Sequence, residues 1–154
     1  MEIKPAYHVA FLVADIDAAI PDFERALGIH FRPPQPLTRD ADGTAVRSSY
    51  CYEGPPYVQL IEARETGVYG IDQGEGFHHF GVWVDDAHEC REVLGRAGLR
   101  TQIAFTDGDR TVAWYNEPAD LHGVRIEYTG EAARPGVEAY LRGEGVLGNA
   151  ATAD

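Results

Sequence analysis

The chain has 154 residues, room for one domain of ordinary size or for two small modules sharing a core. Its 44% hydrophobic content fits a soluble globular protein, and no apolar run approaches the roughly 18–20 residues of a membrane span. A formal net charge of −12 repels phosphate backbones and argues against nucleic acid as a partner. The start, MEIKPAYHVAF, lacks the long apolar core of a signal peptide, so a cytoplasmic location is expected. Cys51 and Cys90 stand far apart in neither a metal nor a redox spacing, which points to free thiols.

YHVAFLVAD alternates and is rich in β-branched and aromatic residues, so it reads as a strand. Asp15 or Asp17 can cap the helix DAAIPDFERALG, and Gly28 ends it. Pro21 is tolerable there only within the first turn or so, where amides lack partners anyway. HFRPPQPLTRDADG is a connector that can hide a short strand. AVRSSYCY and PYVQLIEA are further strands, joined by the turn EGPP. The order then repeats. HHFGVWVDD is a strand, DAHECREVLGRAG a helix with Gly98 near its end, and LRTQIAF a strand. TDGD makes a hairpin turn before RTVAWYNEP and GVRIEYTG, the last two strands. Beyond Gly130 the small-residue tail is expected to fray, with GVEAYLRG as a short helix.

Sliding the chain by 71 positions lays His8 on His79, Val13 on Val84, Asp15 on Asp86, Arg25 on Arg96 and Ala26 on Ala97. Together with the element order this gives β-α-β-β-β twice, an internal duplication. Strand parity then sorts the side chains. Val9, Phe11 and Val13 share one face, as do Phe80, Val82 and Val84, and these are the faces a helix would cover. His8, Ala10 and Leu12 share the opposite face, as do His79, Gly81 and Trp83. Tyr57, Gln59 and Ile61 oppose Val58 and Leu60, and Arg125 and Glu127 oppose Val124, Ile126 and Tyr128. Each sheet thus offers a histidine and a carboxylate or amide on its helix-free face. Parity makes His79 the working residue and puts His78 on the helix face or the rim.

Two βαβββ modules, a histidine opening the first strand of each, and VQL and IEY on the last strands resemble the vicinal-oxygen-chelate superfamily. That superfamily includes glyoxalase, methylmalonyl-CoA epimerase, extradiol dioxygenases, and the fosfomycin and bleomycin resistance proteins. The resemblance covers roughly residues 5–130, and GFHHFGVWVDD is most similar to methylmalonyl-CoA epimerase. It implies an α+β fold of tandem modules, about 5–66 and 77–130, whose curved mixed sheets surround a metal site. Residues 131–154 are then a partly flexible extension. The family's metal site, carried over position by position, falls on His8, Gln59, His79 and Glu127. The family commonly pairs as a homodimer.

Two imidazoles, one carboxylate and one amide oxygen suit Co, Ni, Mn, Zn or Fe(II) better than calcium. One carboxylate leaves a divalent ion with surplus positive charge, able to hold an enolate formed by removing a proton next to a carbonyl. Of Gln59 and Glu127, which would sit across the pseudo-twofold axis from each other, only Glu127 can accept a proton, so the resemblance to glyoxalase makes it the base as well as a ligand. Epimerases of this type use separate acid and base groups, for which Asp40, Asp42 and Glu53 are candidates by proximity alone. Glu62, three residues from Gln59, faces the other way. His30, His88 and His122 read as surface histidines, with His122 near a mouth. An acyl-CoA substrate would need basic rim residues, for which Arg32, Arg39, Arg47 and Arg64 are available.

Two other chemistries compete with the epimerase, isomerase or lyase reading. YNEPADLHGVRIEYTG echoes the ending of Fe(II) extradiol dioxygenases, but the stretch before Tyr115 carries Arg110 where those enzymes place a second-sphere histidine. A metal-free binding or resistance protein of the same fold is disfavoured by the complete ligand set.

Overall fold

The structure, a computed structural model, describes residues 2–39, 45–142, 144 and 152–153. The first module runs β1 (Ile3–Val13), α1 (Ile16–Leu27), β2 (Gln35–Arg39), β3 (Ala45–Tyr50) and β4 (Tyr57–Glu62). The second runs β5 (Gly76–Val84), α2 (Ala87–Arg96), β6 (Thr101–Asp107), β7 (Arg110–Asn116) and β8 (Ile126–Gly130). A helix α3 (Arg134–Leu141) and a two-residue strand β9 (Thr152–Ala153) follow.

The duplication is visible in the helix starts. Asp15 accepts a hydrogen bond from the Ala18 amide, and Asp86 accepts from the His88 and Glu89 amides, each filling a donor the helix leaves unmet. Gly28, at φ 69°, closes α1 in the left-handed region, as expected of a helix-ending glycine. Pro21 departs from the sequence reading, since it sits inside α1, past its first turn. Proline there frees the carbonyl four residues back, on Asp17. Both Pro21 and Asp17 are exposed, so water can satisfy that carbonyl.

The strands form one sheet in the order β2-β3-β4-β1-β5-β8-β7-β6-β9. The two curved sheets expected of the modules are therefore joined edge to edge, through the antiparallel pair β1 and β5. Within each module the first and fourth strands pair in parallel, β1 with β4 and β5 with β8. The sheet curls strongly. Leu37 of β2 and Phe105 of β6, from opposite ends of the strand order, pack on one cluster with Ala10, Leu12, Val46, Ile61, Ala113 and Tyr115.

The convex face follows the expected parity. Phe11, Val13 and Leu60 pack with Ile16, Phe23 and Phe31 of the first module. Val82, Val84, Trp114 and Tyr128 pack with Ala87 and Cys90 under α2. Each fully buried aliphatic side chain contributes about 1.5–3 kcal/mol, so these two clusters hold the helices on the sheet. Both cysteines are free and buried.

The short helix expected of GVEAYLRG is α3. Tyr140 and Leu141 of α3 are each 1% exposed and pack with Tyr7, Tyr50 and Trp83 over the open end of the curled sheet. Burial of two large side chains on an aromatic floor explains why this short helix holds. The part of the expected frayed tail at residues 145–151 lies outside the described residues.

Candidate metal centre

The pairing of β1 with β5 sets the site. His8 lies opposite Gly81, and His79 lies opposite Ala10, so each imidazole faces a small residue on the neighbouring strand. At Gly81 the space is taken by His8 itself: a Cβ there would sit 2.1 Å from His8 Cε1. In the parallel pairs Gln59 is level with Ala10 and Glu127 with Gly81. Gln59 and Glu127 are therefore equivalent in the two modules, although the offset of 71 that relates the histidines does not relate them. Asn116 sets the start of β8, accepting from the Ile126 amide and donating to the Val124 carbonyl. That buried asparagine aims the next residue, Glu127, and its role has no signature in sequence.

His8 Nε2, His79 Nε2 and Glu127 Oε2 converge at 3.0 Å between the imidazoles and 3.2 and 3.1 Å to the carboxylate. Both histidines are fully buried and the Glu127 side chain is 15% exposed. Gln59, 1% exposed, lines the same cavity as Glu127, and its buried Oε1 makes no hydrogen bond. This cavity, about 160 Å³, is otherwise walled by Tyr7, Tyr50, Tyr115, Tyr140 and Phe105, by small apolar residues and by Thr129.

His78 is where parity fails. Ala10 pairs with His79 but Phe11 pairs with Phe77, so His78 is an extra residue in β5. Tyr7 is the matching extra residue in β1, between Ala6 and His8. Such a bulge breaks the alternation of faces. His78 is consequently neither on the helix face nor at the rim. It is 3% exposed, stacked on Tyr69, with its Nδ1 2.8 Å from His79 Nδ1. Its Nε2 lies 2.7 Å from the Val68 carbonyl, and Arg125 donates to its main-chain carbonyl at 3.1 Å.

Protonation follows from these contacts. Burial lowers His78 to about 3, with the neighbouring His79 and Arg125 charges adding to it, and lowers His79 to about 4 against the opposing pull of the Glu127 carboxylate, so both are neutral at pH 7. Burial alone would push the Glu127 carboxyl up, but the imidazoles of His79 and His8 hold it well below the usual carboxylate range. Tyr7, Tyr50 and Tyr115 are raised by burial and by the Glu127 charge, so they remain hydroxyl donors. The sign for stability is fixed by the histidines. With folded pKa values below the unfolded 6.5, the folded state binds fewer protons than the unfolded chain, and stability present above pH 6.5 is lost as the pH falls toward 4 and 3. Thermal melts of metal-free protein should therefore lose about 1–2 kcal/mol per histidine between pH 6.5 and 5, above the range of ordinary carboxylates. A melting temperature flat across that window would mean the pair is not buried neutral.

The donor set fits a divalent ion. Ligand atoms about 2.1 Å from one centre and at near-right angles are roughly 3 Å from each other, the spacing seen here. The buried amide oxygen of Gln59, without a partner, is the atom that would serve as a fourth donor. The remaining candidates lie elsewhere. Glu62 accepts from the Ile16 amide and pairs with Arg47 at the start of α1. Glu53 is exposed and bonded to His30, and Asp40 and Asp42 lie outside the described residues. His88 pairs with Glu92 on α2, and His122 is exposed at φ 52°, closing the 3-10 turn before β8. Sequence parity misplaced His78 and gave no sign of Val68, while Arg125, which parity set on the face of Glu127, meets the bulge at the His78 carbonyl.

A curled sheet of two βαβββ modules with paired histidines on its concave face defines the vicinal-oxygen-chelate class of proteins. A sequence profile of the Glyoxalase/Bleomycin resistance protein/Dioxygenase superfamily matches residues 7–115, and the chain belongs to that superfamily. A probable chloroplastic lactoylglutathione lyase of Arabidopsis thaliana is 26% identical over 140 residues, 88% of this chain. The chain spans 39% of the length of that relative. Among solved structures, Streptomyces coelicolor methylmalonyl-CoA epimerase in complex with 2-nitronate-propionyl-CoA superposes with a TM-score of 0.66 at 22% identity, over 86% of this chain and 97% of that one. Methylmalonyl-CoA epimerase from Mycobacterium tuberculosis gives a TM-score of 0.66 at 22% identity, over 88% and 93%. Identities this low carry the fold.

Proposed function

We propose that this protein is a divalent-metal-dependent enzyme of the glyoxalase and epimerase type, which removes a proton next to a carbonyl in an epimerisation, isomerisation or lyase reaction. The observation that carries the proposal is the convergence of His8 Nε2, His79 Nε2 and Glu127 Oε2, the last of which lines an aromatic-walled cavity. His8, Gln59, His79 and Glu127 are the residues that would hold the ion. A bound ion would supply Lewis-acid charge beside a carbonyl oxygen and so acidify the neighbouring C–H. Glu127 is the one carboxylate among the cavity's described lining residues, and it stays ionised at neutral pH, so it is the proposed proton acceptor. The tyrosine hydroxyls can orient an oxygen of the substrate without competing for the proton. The largely apolar wall lowers the local dielectric, which strengthens each electrostatic contact made inside. Residues 1–130 form the working domain in this reading, with α3 closing the open end of the sheet.

An acyl-CoA is the first substrate class to test, since a solved methylmalonyl-CoA epimerase similar in fold was crystallised with methylmalonyl-CoA. Of the basic residues available for its phosphates, Arg47 is already paired with Asp17 and Glu62, and Arg32 is buried against the Tyr140 ring at 4.2 Å. The side chain of Arg39 lies outside the described residues. The dioxygenase alternative gains no support, because Arg110 is exposed and turned to Asp86 at the start of α2.

The test is hydrogen exchange in deuterium oxide. With methylmalonyl-CoA, or with the adduct of a small 2-oxo aldehyde and a thiol, the protein should exchange the hydrogen alpha to the carbonyl without consuming oxygen. A chelator should stop exchange, and added Co(II) should restore it. Absence of exchange with both substrates under saturating metal would sink the proposed function and leave the family membership untouched. Oxygen uptake on a catechol would replace it with the dioxygenase reading. The proposal includes a homodimer, for which a single monomeric boundary in sedimentation at micromolar concentration would be the contrary result.

A further inference from the structure

We propose that Tyr50 is the residue that holds the substrate: its hydroxyl donates to the carbonyl oxygen next to the carbon that loses its proton. The inference rests on the metal-dependent reading above and adds to it a division of labour, with the base in the second module and the donor in the first. The duplication sets two tyrosines at equivalent points. Tyr50 of β3 pairs with Gln59 of β4, and Tyr115 of β7 pairs with Glu127 of β8. Each ring lies against the histidine of its own module, with centroids 5.6 Å apart for Tyr50 and His8 and 4.7 Å apart for Tyr115 and His79. Both tyrosines line the cavity, 6% and 2% exposed. In the sheet, β3 and β4 flank the two histidine strands on one side and β8 and β7 on the other, so Tyr50 and Glu127 approach the site from opposite flanks.

The two tyrosines differ in their hydroxyls. That of Tyr115 meets Tyr69 at 3.0 Å, and Tyr69 belongs to the segment joining β4 to β5, which occurs once in the chain. The connector thus breaks the symmetry. Tyr7 is engaged as well, its hydroxyl 2.9 Å from that of Thr129. The Tyr50 hydroxyl has no hydrogen-bond partner among the described residues, and it is not sealed in as Gln59 Oε1 is. A donor set in a largely apolar wall is stabilised by an acceptor, and the cavity is where one can stand. Tyr140 lines the same cavity but looks elsewhere. Burial raises both tyrosines; the next influence on Tyr50 is the charge of Glu127, whereas on Tyr140 it is Arg32, whose Cζ lies 4.2 Å from the ring. Among the described tyrosines of the cavity, Tyr50 is therefore the unengaged donor within reach of the base.

The chemistry needs such a donor. When the C–H bond breaks, its proton passes to Glu127 and its electron pair forms the C=C bond of an enolate, whose oxygen takes up the negative charge. A hydrogen bond to a charged acceptor is about twice as strong as one to a neutral acceptor. The bond from Tyr50 therefore tightens as the proton leaves, which favours the transition state over the bound substrate. Return of the proton from Glu127 to carbon reverses each change, so no electrons are gained or lost.

The test compares the full-length wild type with Tyr50→Phe, which removes one oxygen and keeps the ring that packs on His8 and Tyr140. Thermal melts and Co(II) titrations of the two should coincide. Two small probes then report on the Co(II)-loaded proteins through the visible spectrum. Acetohydroxamate presents a pair of oxygens with the charge of an enolate, and 1-methylimidazole binds through nitrogen with no atom left to accept a hydrogen bond. Tyr50→Phe should bind acetohydroxamate about 10–100-fold more weakly and 1-methylimidazole as the wild type does. Exchange of the α-hydrogen should fall about 100-fold in kcat, with a smaller change in KM. Unchanged or absent acetohydroxamate binding, or equal losses for both probes, would overturn the proposal. Should Tyr50→Phe fail to fold, the Zn(II)-loaded wild type still decides it: the Tyr50 hydroxyl proton should move downfield when acetohydroxamate is added, and a signal that stays in place is the contrary result. A wild type that binds no divalent ion refutes the metal reading and this proposal with it. One that binds Co(II) and the probes as expected but exchanges no α-hydrogen sinks the proposed reaction and upholds Tyr50 as the donor.

Discussion

Replacing Glu127 by Gln is expected to lower α-hydrogen exchange by a factor of about 100 to 10,000, the usual contribution of a positioned base. The substitution keeps an oxygen of the same shape beside His8 and His79 but removes the negative charge and the lone pair that takes the proton. Metal binding should weaken, since the two neutral imidazoles would then bind an ion without any carboxylate among the named donors. The measurement therefore pairs exchange rates under saturating Co(II) with a Co(II) titration. Loss of exchange with metal still bound assigns the base to Glu127. A variant that binds metal and keeps a sizeable share of exchange leaves Glu127 as a ligand only, and the proton acceptor must then be sought in Asp40, Asp42 or a group brought by the substrate. Glu53 is a poor alternative, being exposed and engaged with His30 on the surface.

Gly81→Ala is expected to abolish Co(II) binding, weakening it by 100-fold or more, while the protein remains folded. The added methyl would stand 2.1 Å from His8 Cε1 and 2.4 Å from Nδ1, closer than any real contact. Backbone strain is not the reason, since Gly81 is not among the glycines with positive φ. Something must therefore move, and the ring of His8 is the movable part. Overpacking of this kind costs about 1–3 kcal/mol of stability, which a domain of this size can bear. The imidazole that yields is a ligand, so the metal site takes the damage. Thermal melts and Co(II) titration of the one variant separate the two effects. Full metal affinity in Gly81→Ala would mean that His8 is free to swing aside and is not a fixed part of the site.

The sequence by itself determined the duplication, an aspartate cap at Asp15 or Asp17 for the first helix, and the face on which His8, Gln59, His79 and Glu127 lie. Those features are local: apolar alternation, a capping carboxylate and a repeated order each leave a mark within a few residues. Parity could carry Gln59 and Glu127 to the right face because β4 and β8 are regular up to those residues. Only the tertiary structure decided that β1 and β5 fuse the modules into one sheet, and that each carries an extra residue before its histidine. A bulge is a property of two strands in register against each other, so no count along one strand can locate it. The place of His78 followed from that alone. Its partners come from the inter-module connector and from the segment before β8, brought within hydrogen-bond reach only when the sheet curls.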